Sequence, residues 1–319
     1  GYGINSQSVD VFLKNQVDLI FVISQIDMTF IPDQQPLVSV LIPTYQGEEF
    51  LEEALESVLS QTYHNLEIII SDDGSVDRTL EIALRLHMND PRVVIVENPS
   101  GRTAAGLNLA IAASQYSIIV RVDGHANIPN NYCQLVSEIL ERTGAVNVGG
   151  VMAAEGQSLF ERSVARAMRS PLGVGASRFH TGGGAGEVDT VYLGAFRKEA
   201  LLAVGGFDER FTRAQDWELN FRLRQAGGVV YFDPRLQVTY RPRSTVKALA
   251  KQYFEYGSWR HEVMRRHPDT RRTKSALRYF APPLAVLLIV IGKILGSIGF
   301  VMGNALIWGY IFPLGYLAL

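Results

Sequence analysis

The feature that most constrains this chain is a beat of short apolar runs and intervening helical stretches that begins at residue 37. LVSVLI (37–42), LEIIIS (66–71), RVVIVE (92–97) and SIIVRVD (117–123) are rich in β-branched residues and bounded by polar or turn-forming ones. That is the composition of strands buried on both faces of a sheet. Between them stand helix-like stretches at 49–60, 78–87 and 103–114, with Asp77 placed to cap the second. Parallel strands need a crossover connection, and the crossover is almost always right-handed. The expected fold is therefore α/β: a Rossmann-like, mostly parallel sheet with flanking helices.

The same beat says where chemistry belongs. The four strands end in Pro43-Thr44-Tyr45, Asp72-Asp73-Gly74-Ser75, Asn98-Pro99-Ser100-Gly101 and Asp123-Gly124-His125. Ligands of open α/β sheets bind beyond the carboxyl ends of the strands, where all of these residues fall. No G-x-G-x-x-G follows the first strand and no G-x-x-x-x-G-K-[ST] occurs, so a dinucleotide fingerprint and a P-loop are both missing. A divalent cation is the natural substitute for holding phosphates. If the backbone stays extended past Gly124, Asp123 and His125 project to the same side. Carboxylate and imidazole together suit Mn²⁺, with Mg²⁺ also admissible. A plain Asp-Gly turn with a surface histidine is the alternative. For Asp72-Asp73, simple turn chemistry competes, but two adjacent carboxylates exceed what a turn requires.

Composition narrows the partners. A formal net charge of −2 leaves no electrostatic footprint for nucleic acid. Cys133 is the single cysteine, which excludes a disulfide framework and a thiolate metal cage. Residues 281–319 carry one charge, Lys293, and hold one membrane span and the start of a second, interrupted near Gly303-Asn304 or Pro313. A buried helical hairpin is the competing reading. Upstream, Arg260, Arg265, Arg266, Arg271, Arg272, Lys274 and Arg278 outnumber Glu262 and Asp269. By the positive-inside rule this puts the preceding domain on the cytoplasmic side of the membrane, and the basic run also suits anionic headgroups.

Read together, VSVLIPTYQGEEFLEEALESVLSQTYHNLEIIISDDGSVDRT, ENPSGRTAAGLNLAIAAS, VRVDGHANIP and VGGFDERFTRAQDWELNFRLRQAGG resemble, in order, the motifs of family 2 glycosyltransferases. The likeness spans about residues 37–260 and is strongest to the membrane-associated subgroup of succinoglycan-type exopolysaccharide synthesis. It implies a GT-A fold over 37–240, a basic juxtamembrane helical region over 241–280 and transmembrane segments over 281–319. Residues 1–36 match nothing and carry no assigned role. It also implies an inverting transfer from a UDP-sugar donor to a lipid-linked or oligosaccharide acceptor at the cytoplasmic membrane, aided by Mn²⁺ or Mg²⁺. Carried over by position, Pro43, Thr44 and Tyr45 match the loop around the uridine, Asp72 the acceptor from the uracil ring, and Asp73 its neighbour in the turn. Asp123 matches the first acid of the metal site, with His125 where most members have aspartate.

Asp216 matches the catalytic base, with Gln215 in place of the usual preceding glutamate; Glu218 is the fallback. Thr212 and Gln215 read as a capping box for a helix that runs to Ala226 and is closed by Gly227-Gly228. Acids are favoured in any first helical turn, and the helix dipole is expected to keep Asp216 ionised and only modestly basic. Further expectations are a loop at 181–186, either a lid or an ordinary surface loop, before a strand-like run at 188–196. Arg241 and Arg243 are candidate pyrophosphate contacts. Gln252 and Trp259-Arg260 have the wrong spacing for the Q-x-x-R-W motif of processive synthases, so one sugar per encounter is expected. Two other readings compete: a silent sugar-nucleotide-binding subunit of a membrane complex, and a sugar-nucleotide pyrophosphorylase, whose Gly-rich signature PTYQGEE lacks.

Overall fold

β1 (Val38–Thr44) and β2 (Leu66–Asp72) are buried along their whole length, as the centre of a doubly covered sheet requires. The computed structural model describes residues 37–170, 177–272 and 276–318; residues 1–36 lie outside them. β3 (Val93–Glu97) pairs with β2, and β4 (Ile118–Arg121) with β1, all parallel. The connections carry α1 (Leu51–Leu59), α2 (Thr79–Asn89) and α3 (Thr103–Ala113). Strand order β3-β2-β1-β4 is the expected parallel half.

Beyond β4 the chain adds β5 (Ala126–Asn127), β6 (Asn147–Ala154), β7 (Gly186–Glu187), β8 (Ala195–Arg197) and β9 (Val230–Tyr240). The sheet continues β8-β6-β9-β5, with β7 on β9. β8 runs antiparallel to both β4 and β6, while β6 and β9 are parallel to each other. The run 188–196 is not the strand its composition indicates. Leu193 and Gly194 both have positive φ, 57° and 88°, and that left-handed turn leaves only β8 at its end.

The helices of this half are α4 (Tyr132–Thr143), α5 (Leu159–Met168), α6 (Arg178–Thr181), α7 (Lys198–Ala203), α8 (Gln215–Gln225) and α9 (Val246–Arg266). Period-2 alternation divides the core. Val38, Val40 and Ile42 of β1 face a cluster that includes Leu51 and Leu55 of α1 and Val136 and Ile139 of α4. Leu41 faces the other, with Leu107 and Ile111 of α3 and Leu219 and Leu223 of α8. α8 is thus packed on the same face as α3, with its first turn close to the carboxyl ends of the central strands.

The apolar C-terminus forms α10 (Ala276–Met302) and α11 (Ile311–Ala318), joined by a 3₁₀ segment, Ala305–Tyr310. Within α10, Leu284–Met302 is long and apolar enough to cross a membrane, and little of it is buried. The chain reverses at Gly303-Asn304, where Asn304 Oδ1 accepts from the Leu306 amide at 3.0 Å. The returning segment packs so closely that a Cβ on Gly296 would stand 2.6 Å from the Tyr310 ring, the small-residue contact by which apolar helices approach each other. The side chains of Arg271, Arg272, Lys274 and Arg278 lie outside the described residues.

Candidate functional site

The site begins where β1 and β2 end. Pro43 stands opposite Ser71 and Thr44 opposite Asp72 in the parallel register. Asp72 Oδ2 accepts from the Ser75 amide at 3.0 Å. Its other oxygen, Oδ1, is buried without a hydrogen-bond partner among the described residues, and so is Thr44 Oγ1. Buried polar atoms are rarely left unmet, and these two sit side by side at the carboxyl edge of the sheet. Tyr45, next along, is exposed.

Asp73, expected beside Asp72 in the nucleotide site, faces the other way. Its Oδ1 accepts from Asn98 Nδ2 at 2.6 Å and its Oδ2 from Thr103 Oγ1 at 3.1 Å. Burial pushes its carboxyl above the ordinary range, and these two bonds pull against that. A Cβ on Gly106 would lie 2.5 Å from both Asp73 Oδ1 and Ser71 Oγ, so only glycine lets α3 come this near. Asp73 therefore ties β2, the loop after β3 and α3 together, and both its oxygens are taken. At the start of α2 the N-cap position is Arg78, not the expected Asp77, and carries no side-chain cap; Asp77, one residue earlier, accepts with Oδ1 from the Thr79 amide at 3.1 Å. Asn108 holds the loop before α8: its amide donates to Phe207 O at 2.8 Å, and its Oδ1 accepts from the Phe207 amide at 2.8 Å.

The Asp123-Gly124-His125 tip is a turn, which corrects the extended backbone expected there. The Ala126 amide bonds Asp123 O at 2.9 Å, closing a four-residue turn, and the Gly124 amide reaches Pro43 O at 3.3 Å. The same-side argument for Asp123 and His125 thus has no basis in strand geometry. The turn nevertheless brings Gly124, between the two residues, against Thr44, whose Oγ1 would stand 3.1 Å from a Cβ there. His125 is exposed, with its ring edge-on to Tyr240 at 6.4 Å. Crowding by protein atoms holds its imidazole below its usual pKa, against the pull of Asp123 and with help from the Arg243 charge. A neutral imidazole is the form that binds metals. Among the described residues no group of three or more His, Cys, Asp or Glu side chains is placed to hold a cation. A carboxylate and a neutral imidazole are donor types that suit Mn²⁺, and such a pair would need further oxygens to complete a site.

The residue that organises this region was not singled out in the sequence. Arg121, buried on β4, donates from Nε to Asp123 Oδ1 at 2.8 Å and from Nη1 to Asp216 Oδ1 at 2.6 Å. Burial works against its charge, and the carboxylates of Asp123 and Asp216 more than offset that. The available signal was a lone arginine inside the apolar run SIIVRVD, two residues before an aspartate and hence on the same side of the strand.

Asp216 sits in the first turn of α8, as expected, but the start of that helix differs. Ala214 is the N-cap, with left-handed φ of 60° and no side-chain cap. Gln215 turns its amide back to Phe211 O at 3.1 Å, so the Thr212–Gln215 capping box does not form. The C-terminus follows the expected pattern: the Gly227 amide bonds Arg224 O at 3.0 Å and the Gly228 amide bonds Leu223 O at 2.9 Å. The expected lowering by the helix dipole is corrected: Asp216 remains ionised at neutral pH but is more basic than the dipole alone would make it. Burial pushes its carboxyl up to about 6, Arg121 opposing and Asp123 reinforcing the shift. Glu218, the fallback base, is 1% exposed and bound to Arg222 at 2.6 Å and to His267 Nε2 at 3.0 Å. It braces α8 against the end of α9 and is not open to an acceptor.

Arg241 is committed to Glu53 at 3.1 Å and lies over the Phe50 ring at 5.7 Å; Arg243 is exposed, near enough to act on His125. Gln252 donates to the hydroxyls of Tyr240 at 2.9 Å and Tyr256 at 2.8 Å. The loop at 181–186 leads directly into β7. A wider cleft lined by Ser117, Glu141, Arg197 and Glu199 lies at the opposite, amino end of β4.

Comparison with known proteins converges on one description. Residues 39–205 match the family model for glycosyl transferase family 2. The succinoglycan biosynthesis protein ExoA of Rhizobium meliloti (strain 1021) is 34% identical over 281 residues, covering 86% of this chain and 81% of that protein. A dolichyl N-acetyl-alpha-D-glucosaminyl phosphate 3-beta-D-2,3-diacetamido-2,3-dideoxy-beta-D-glucuronosyltransferase of Methanococcus voltae is 26% identical over 242 residues, 72% of this chain and 74% of that protein. Among solved structures, mannosyltransferase PcManGT from Pyrobaculum calidifontis, in complex with GDP-Man and Mn²⁺, superposes with a TM-score of 0.58 at 19% identity, over 92% of this chain and 78% of that one. This last likeness carries the fold, the GT-A type that the motifs imply.

Proposed function

The chain belongs to glycosyltransferase family 2, and we propose that it is an inverting enzyme moving a sugar from a UDP-sugar to a lipid-linked or oligosaccharide acceptor in exopolysaccharide synthesis. One observation carries this reading: Asp123 and Asp216, which lie in different elements, meet at a single buried guanidinium at the carboxyl edge of the sheet. A diphosphate-end acid and a base candidate are thereby neighbours, as a single displacement at an anomeric carbon needs.

Asp72 and Thr44, with unmet oxygens, are suited to receive the donor hydrogens of a uracil ring and ribose, and the exposed Tyr45 to pack against them. Asp123 and His125 would hold Mn²⁺ or Mg²⁺; the Mn²⁺ in PcManGT supports that assignment. Such a cation, acting as a Lewis acid, lowers the charge on the leaving diphosphate. Asp216, with its carboxyl near 6, is ionised at neutral pH and basic enough to take the acceptor proton. Pro43 shapes the tip of β1, and Asp73 holds the loops rather than the ligand. The apolar hairpin anchors the enzyme in the cytoplasmic membrane with its catalytic domain facing the cytoplasm, next to a lipid-borne acceptor.

UDP release is the test. Purified full-length protein with Mn²⁺, a membrane extract as acceptor and a panel of UDP-sugars, with GDP-mannose as a further arm, should release UDP from at least one donor. A protein that binds UDP but releases none would instead be a silent binding subunit, and release of GDP alone would overturn the uridine assignment.

A further inference from the structure

Arg121 stands in an otherwise apolar strand between two carboxylates from distant parts of the chain. A buried guanidinium is costly unless its partners are well placed, and both its ion pairs are short, 2.8 Å to Asp123 and 2.6 Å to Asp216. They leave the guanidinium from different nitrogens, Nε and Nη1, while its carbon sits 5.9 Å from the Phe207 ring centroid. This is a use of the rigid fork that the point charge of a lysine cannot reproduce. Each carboxylate spends only Oδ1 on the arginine. Oδ2 of each has no hydrogen bond among the described residues. The helix start at Asp216 has no side-chain cap, so the bond from Arg121 is the tie that fixes its carboxylate.

We infer that Arg121 is a positioning residue of the transfer reaction: it anchors Asp216 through Oδ1 next to Asp123 and leaves Oδ2 free to receive the acceptor proton. The inference rests on the reading of Asp216 as the base. In the step so arranged, the acceptor oxygen forms its bond to the anomeric carbon as its proton passes to Asp216 Oδ2. The bond from that carbon to the UDP oxygen breaks, and UDP leaves with the electron pair. Arg121 exchanges no proton.

A double-mutant cycle tests this. Arg121→Lys, Asp216→Asn and the double variant are compared by thermal unfolding, by calorimetric binding of UDP with Mn²⁺, and by UDP release from the donor that the screen selects. Arg121→Lys is expected to bind UDP within about threefold of the wild type while turnover falls about 100-fold. In the Asp216→Asn background the same change should cost less than about threefold more, because the group that Arg121 positions is already lost. Equal losses in both backgrounds, or UDP affinity falling in step with turnover, overturn the inference. Asp216→Asn inactive beside a fully active Arg121→Lys overturns it alone; a fully active Asp216→Asn removes the base reading and this inference with it. If Arg121→Lys does not fold, Arg121→Gln combined with Asp216→Asn removes one charge of each sign and is read against Asp216→Asn in the same way.

Discussion

Asn98 and Asp73 are joined by a buried 2.6 Å hydrogen bond from amide to carboxylate, and this contact holds the loops after β2 and β3 together. Asn98→Ala strips Asp73 Oδ1 of its partner in a buried setting. Unfolding should shift to lower denaturant by an amount equivalent to about 1–3 kcal/mol. UDP affinity per folded molecule should change little.

Asp72 behaves oppositely. Its Oδ1 has no partner among the described residues, so Asp72→Asn should leave the unfolding midpoint unchanged. If that oxygen accepts from the base ring, UDP binding should weaken about tenfold or more, the loss of a hydrogen bond to a charged acceptor. Calorimetry with UDP and Mn²⁺ measures it, and undiminished affinity would remove Asp72 from the site.

The acid limb of the pH profile reports Asp216. A base works only when ionised, and its carboxyl is raised to about 6. Turnover should therefore rise with pH through about 6 and level off above it. A carboxylate governed by the helix dipole alone would stay ionised well below that pH, and the profile would be flat there. Measuring kcat/KM from pH 5 upward at saturating Mn²⁺ distinguishes the two.

Metal removal should act through Asp123. Chelation is expected to lower the UDP affinity of the wild type by more than about tenfold, since the cation neutralises the diphosphate. Asp123→Ala should bind UDP equally weakly with and without Mn²⁺. A Mn²⁺ effect that survives this substitution would place the cation elsewhere.

Glu218 is 1% exposed and joined to both Arg222 and His267. Glu218→Gln leaves the half-buried Arg222 guanidinium without its counterion and weakens two charge-assisted hydrogen bonds, a loss of about 1–3 kcal/mol in unfolding free energy. Turnover per folded molecule should hold, in contrast to Asp216→Asn, and the pair of measurements separates a brace from a base two residues apart.

The parallel half of the sheet was legible because burial on both faces writes itself into β-branched runs such as LEIIIS, and crossover geometry then leaves little choice of topology. The location of the polar residues at the strand tips followed from the same geometry; of the two breaks expected in the apolar C-terminus, at Gly303-Asn304 or Pro313, the turn-forming Gly303-Asn304 pair is where the long helix ends. The turn at Asp123-Gly124-His125 was misread as extended because its closing bond, and the contact of Gly124 with Pro43, are made after the strand has already ended. The start of α8 was misread because a left-handed Ala214 has no sequence signature of its own.

What the amino-acid sequence determined by itself is the order of the first four strands and the helices between them, the edge at which a ligand can bind, and the chemical types gathered there. These depend on local periodicity and on residue spacing, which a linear text records. Only the tertiary structure decided how each carboxylate is spent: Asp72 with one buried oxygen unmet among the described residues, Asp73 with both oxygens bonded, Asp123 and Asp216 drawn to one arginine. The reason is that a carboxylate's partners and its proton affinity are set by burial and by charges far away in the chain, and neither exists until the chain has folded.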